Sequence, residues 1–84
     1  MSTTELIEKL KVIVKPYVKN EEGFKNMTEE SDFLNDLKIN SANLVDVILD
    51  IETEFDIIID NESMEKMLNV KAAIEIITTK LGEK

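Results

Sequence analysis

The stretch Asp36-Leu37-Lys38-Ile39-Asn40-Ser41-Ala42-Asn43-Leu44-Val45-Asp46 decides how this chain folds. Before it the sequence is polar and aperiodic. After it Leu44, Val47, Ile48, Ile51 and Phe55 recur at helical spacing, so a helix is predicted over about Ser41–Phe55. Asn40 supplies a side-chain acceptor for the free N–H groups of its first turn and reads as the N-cap. Ser41 is therefore presented to solvent at a helix start, beside a carboxylate-rich flank with no base of its own.

On that helix Asn43, Asp46, Asp50, Thr53 and Glu54 form a polar face. Ser41, Val45 and Leu49 form a third row at i, i+4, i+8 spacing, which places two outward apolar residues on the stripe of the serine. Upstream, Asn20, Gly23, Asn26 and Thr28 break periodicity, and residues 20–40 read as a long loop with a short turn at Glu29–Leu34. Phe24, Phe33, Leu34 and Leu37 are expected to pin it onto the core.

Leu6, Ile7, Leu10, Ile13, Val14 and Tyr17 describe a first amphipathic helix, capped by Thr3 or Thr4 and stopped near Lys15 by Pro16. Asp56–Asp60 is β-branched and reads as a short extended link. A short helix starts at Asn61-Glu62-Ser63 and passes through Met64, Met67 and Leu68. Asn69 caps a last helix with Val70, Ala73, Ile74, Ile77 and Leu81 inward, and Gly82 follows as its stop. The expectation is an all-α single domain, residues 1–84: a small four-helix bundle of three longer helices and a short third one, with a long loop between helices one and two.

Composition removes whole classes of chemistry. There is no cysteine and no histidine, so disulfides, thiolate zinc sites and Ser-His or Cys-His catalysis are excluded. A carboxylate hydrolase has no supporting constellation, no Asp-x-Asp-x-Asp-Gly spacing suggests calcium, and no metal site is read. The net charge is −8. Residues 1–20 carry four lysines against two glutamates, so the acidity lies in the remainder. This argues against nucleic acid and favours protein partners with basic patches. No apolar run approaches the ~20 residues of a bilayer span, and Met1–Glu5 lacks signal-peptide character, so a cytoplasmic monomer without membrane contact is expected.

A serine at a helix start is most often a cap or first-turn residue. Here Asn40 already takes the cap, a long loop delivers the chain, and acidic and apolar rows adjoin the serine. The stretch Ser31 to Ser41 resembles the approach to the modified serine of acyl carrier proteins, a Phe-Leu-x-Asp-Leu-Gly-x-Asp-Ser-Leu pattern. Leu44–Phe55, with its Glu52-Thr53-Glu54-Phe55-Asp56 ending, Glu65-Lys66 and Val70–Ile74 are similar to the later helices of that family, so the likeness runs from about Phe33 to Leu81. The family's Gly, Asp, Leu and pre-helix Pro read Lys38, Asn40, Ala42 and Asp60 here, which suggests a specialised member.

The resemblance implies a non-catalytic carrier of acyl groups, as thioesters, on a 4'-phosphopantetheine arm taken from coenzyme A and attached to Ser41. It would serve fatty-acid, polyketide or related lipid biosynthesis. The implied partners are a phosphopantetheinyl transferase, an acyl-loading ligase or transferase, and ketosynthase-type or acyltransferase enzymes with basic docking patches. Asn40, Ala42, Val45, Asp46, Leu49, Asp50 and Glu54 are the expected partner surface, although the acids also read as a solvated helix face and the apolar pair as scattered surface residues. Ile57, Ile59, Met64 and Met67 read as core or, through the resemblance, as the lining of an acyl pocket. An aminoacyl or peptidyl carrier, or an unmodified acidic interaction module, stands as the alternative.

Overall fold

Most helix starts among the described residues are set by small polar side chains that accept the otherwise unpaired N–H groups of a first turn. The computed structural model describes residues 2–82; Met1, Glu83 and Lys84, at the ends of the expected 1–84 domain, lie outside the described residues. Helix α1 covers Thr3–Val14, and its cap is Ser2 rather than Thr3 or Thr4. Glu5 N–H donates to Ser2 Oγ at 3.2 Å while the Glu5 carboxylate accepts from the Ser2 backbone, a reciprocal capping box. Pro16 follows the C-cap Lys15, as its ring requires.

Helix α2, Glu21–Lys25, occupies part of the segment expected to be loop. It escapes a reading based on periodicity because five residues are little more than one turn and none is fully buried. Gly23 lies where α2 passes the Asp36 carbonyl, and a Cβ there would collide with that oxygen. Asn20 Nδ2 donates to the same carbonyl at 2.8 Å.

Helices α3 (Ser41–Phe55), α4 (Asn61–Lys66) and α5 (Val70–Gly82) complete the chain. The expected bounds of α3 hold, with its inward row of Leu44, Val47, Ile48, Ile51 and Phe55 all buried. Asp60 Oδ1 accepts Ser63 N–H at 2.8 Å and opens α4, which ends before Met67 and Leu68. Asn69 Oδ1 accepts Ala72 N–H at 2.8 Å at the start of α5. Gly82 is the last residue inside α5 rather than a stop beyond it.

All regular structure among the described residues is helical. α1 packs on α3 and α5, and α4 packs on α5. The long connection between α2 and α3 is hydrogen-bonded to residues at and just before the start of α5. Val70 N–H donates to Ser31 O, Lys71 N–H to Glu29 O and Phe33 N–H to Leu68 O, at 2.9, 2.9 and 3.1 Å. Two free N–H groups of α5 are thus satisfied by loop carbonyls. Phe33 and Leu37 are buried, and Phe24 and Leu34 pack against the core, so the expected apolar pins are in place.

Candidate functional site

The chain enters α3 through a backbone constrained on both sides. Leu37 is buried and its carbonyl accepts Lys19 N–H at 3.2 Å; Ile39 is buried and its N–H donates to Phe33 O at 2.9 Å. Lys38 between them takes a left-handed conformation, φ 57°, at the point where the turn from Phe33 closes, with its side chain exposed. Sequence reasoning registered Lys38 only as a replacement for glycine, and the geometry supplies the reason a glycine suits that point.

Asn40 Oδ1 accepts Ala42 N–H at 2.8 Å, and Asn40 O accepts Leu44 N–H at 2.9 Å. The cap is therefore Asn40, and the exposed Ser41 side chain is the first of α3. Val45 and Leu49 follow on its row, 46% and 50% exposed, and Ala42 is also exposed. Asn40, Ser41 and Ala42 stand exposed at the N-terminal end of α3, and Val45 and Leu49 continue the row of Ser41 along the helix.

The acids of α3 divide by what they touch. Asp50 Oδ2 accepts from the Tyr17 hydroxyl at 3.2 Å, and Glu54 Oε1 lies 3.4 Å from Lys9 Nζ. Both contacts come from α1 and the segment after it. Asp46 is exposed. Glu52, read in the sequence only as part of the helix ending, turns back to accept Ile59 N–H on Oε2 at 2.8 Å and so shapes the link to α4. Its signal was its place one turn before the helix end, where a side chain can reach the following segment.

Tyr17 loses solvent and faces Asp50 and Asp46, and together these push its hydroxyl above the ordinary tyrosine range. At the other end of the α3–α4 link, hydrogen bonds from Ser63 hold the Asp60 carboxylate below its ordinary range, with Lys80 Nζ 3.9 Å away assisting. Ile57, Ile59 and Met67 are buried core, and Met64 packs half-buried against it. A surface cavity of about 520 Å³ is lined by Lys15, Val18, Glu21, Glu22, Phe24 and Lys25 and shares no residue with the Ser41 face.

This arrangement suits an anionic group attached at Ser41. The hydroxyl is open, Asn40 leaves it free of the capping role, and the positive end of a fifteen-residue helix lies behind it. No protein-family model matches the chain. An acyl carrier protein of Thermotoga maritima is 33% identical over 81 residues, spanning 96% of this chain and 98% of the relative. One from Petrotoga mobilis is 33% identical over 82 residues, spanning 98% and 94%. One from Coprothermobacter proteolyticus is 34% identical over 84 residues, spanning the whole of both chains.

The chain belongs to the acyl carrier protein family. Within this acyl carrier family member, likeness over essentially the full length agrees with the all-helical architecture. No helix among the described residues is long and apolar enough to cross a membrane. No group of three or more metal-ligating side chains occurs among them either.

Proposed function

We propose that this protein carries acyl groups as thioesters on a 4'-phosphopantetheine arm attached to Ser41, and that it catalyses no reaction itself. The observation that supports this most directly is an exposed Ser41 at the first position of α3 while Asn40 does the capping. The acyl carrier proteins among its relatives support an acyl cargo.

Attachment is a phosphoryl transfer. Ser41 Oγ attacks the pantetheine-bearing phosphorus of coenzyme A and forms the new P–O bond. The pyrophosphate bond breaks, 3',5'-adenosine bisphosphate leaves, and the serine proton passes to a base of the transferase. The arm, once attached, supplies a terminal thiol, pKa about 8.5 in the unperturbed case, on which acyl groups form thioesters.

The chain's own residues position this chemistry. The dipole of α3 favours the new phosphodiester at its N-terminus. Val45 and Leu49 form the apolar centre of a docking face, with Asn40, Ala42, Asp46, Asp50 and Glu54 around it for basic partner surfaces. These partners are a phosphopantetheinyl transferase, an acyl-loading enzyme and ketosynthase-type or acyltransferase enzymes. An acyl chain is sheltered beside half-buried Met64, where Met67, Ile57 and Ile59 repack around it. The working site is cytoplasmic.

Intact-protein mass spectrometry, before and after incubation with coenzyme A, magnesium and a broad-specificity phosphopantetheinyl transferase, tests the assignment. One added phosphopantetheine in the native chain, absent from Ser41→Ala, is expected. No addition with several transferases would overturn it and leave an unmodified interaction module.

A further inference from the structure

We propose that Lys38 is a positioning residue for the modification of Ser41: its ammonium group contacts the coenzyme A phosphate under attack and then the phosphodiester that remains on the serine. The inference rests on the carrier reading of Ser41 and adds a residue and a specificity to it.

The first observation is conformational. Lys38 is one of two non-glycine residues with positive φ among the described residues. A left-handed residue with a long side chain costs roughly 1 kcal/mol relative to a right-handed one. The residues on either side are fixed, because Leu37 and Ile39 are both buried and both hydrogen-bonded. The backbone at Lys38 is therefore held in one direction, and its exposed side chain leaves the surface from a fixed origin. It stands three positions before Ser41, at most about 11 Å of chain, which is within the joint reach of a lysine and a serine-linked phosphate.

The second observation is electrostatic. Residues 39–65 contain no lysine or arginine, so Lys38 is the nearest cation in sequence to Ser41. The acids of the preceding turn are occupied by backbone donors. Asp32 Oδ1 accepts Leu34 and Asn35 N–H at 2.8 and 3.0 Å, and Asp36 Oδ2 accepts Asp32 N–H at 2.7 Å. None of the ion pairs among the described residues engages Lys38. A neutral Asn40 lies between Lys38 and the serine, so the positive charge is not cancelled locally. Lys38 thus offers an unpaired cation close to Ser41 in a chain of net charge −8. An ammonium on a fixed backbone next to an attacked phosphate stabilises charge developing there.

The test compares initial rates of loading by coenzyme A, magnesium and a broad-specificity transferase for the native chain, Lys38→Asn and Lys38→Arg. Asparagine tolerates positive φ, so the first variant removes the charge while keeping the backbone. Arginine keeps the charge. Lys38→Asn is expected to lose about tenfold in kcat/KM, with Lys38→Arg staying within about threefold of native. The ³¹P resonance of the purified, loaded protein is expected to move in Lys38→Asn and to lose its sensitivity to salt. Equal kcat/KM in all three chains overturns the inference while leaving the carrier reading intact. A kinetic loss with an unmoved ³¹P resonance also overturns it, because Lys38 then touches the transferase and not the phosphate. No loading of the native chain overturns both.

Discussion

The Tyr17 hydroxyl donates to Asp50 Oδ2 at 3.2 Å, across 33 residues of sequence, and ties the segment after Pro16 to the exposed face of α3. Tyr17 is the one tyrosine of the chain, so its ionisation is read directly from tyrosinate absorbance. Its pKa is raised by loss of solvent, by the hydrogen bond to Asp50 and by the charges of Asp50 and Asp46. The folded state therefore keeps the proton longer than the unfolded chain. The stabilisation is fully present below the ordinary value of 10.0 and is lost as pH rises through the raised one. A spectrophotometric titration midpoint above 10.0 is expected, returning toward it in Asp50→Asn. Urea unfolding of Tyr17→Phe should lack this alkaline loss.

Ser41→Ala is expected to fold like the native chain, within about 0.5 kcal/mol, because the hydroxyl caps nothing and is exposed. Asn40→Ala removes the acceptor of Ala42 N–H and should cost about 1 kcal/mol. Chemical denaturation of the two variants side by side checks the division of roles. It also establishes that lost loading in Ser41→Ala reports lost chemistry.

Gly23→Ala reverses the usual helix rule. In an open helix the change gains up to about 1 kcal/mol. In α2 the new Cβ falls on the Asp36 carbonyl oxygen, a backbone atom already accepting from Asn20 Nδ2. A loss of about 1–3 kcal/mol is expected, measured as a lower urea midpoint; a gain would show that α2 swings away from the loop at little cost.

Glu52→Ala leaves Ile59 N–H, partly buried, without its acceptor. The expected cost is about 1–3 kcal/mol, with Glu52→Gln recovering most of it because the amide oxygen still accepts. Amide exchange at Ile59 should accelerate in Glu52→Ala well before exchange in the α3 core.

Asp60 is the acid-sensitive cap. Its carboxyl is held below the ordinary 3.8 by hydrogen bonds from Ser63, with Lys80 and Lys66 adding their charges. Its stabilisation is present above 3.8 and is lost as pH falls through the lowered value. Asp60→Ala should therefore unfold more easily than the native chain at neutral pH. The two should converge at a pH below the lowered value, with Tm measured at both ends.

Sequence alone determined α3, its Asn40 cap, the Pro16 stop and the Asn69 start, because each rests on apolar spacing or a local side-chain acceptor within one or two turns. It also placed Ser41, Val45 and Leu49 on one row, since helical periodicity alone dictates that. The cap of α1 lay one residue outside the expected threonines, where Ser2 and Glu5 satisfy each other. Tertiary structure alone decided the rest. α2 exists as a single turn wedged against the Asp36 carbonyl, too short to carry a period. Lys38 is left-handed where the chain turns to bring Ile39 N–H onto Phe33 O, a contact that no local pattern announces. Asp50 and Glu54, indistinguishable in sequence from a free acidic face, are met by Tyr17 and Lys9 from an element more than thirty residues away. Those contacts depend on how α1 lies across α3, and that crossing is set by packing of side chains distant in sequence.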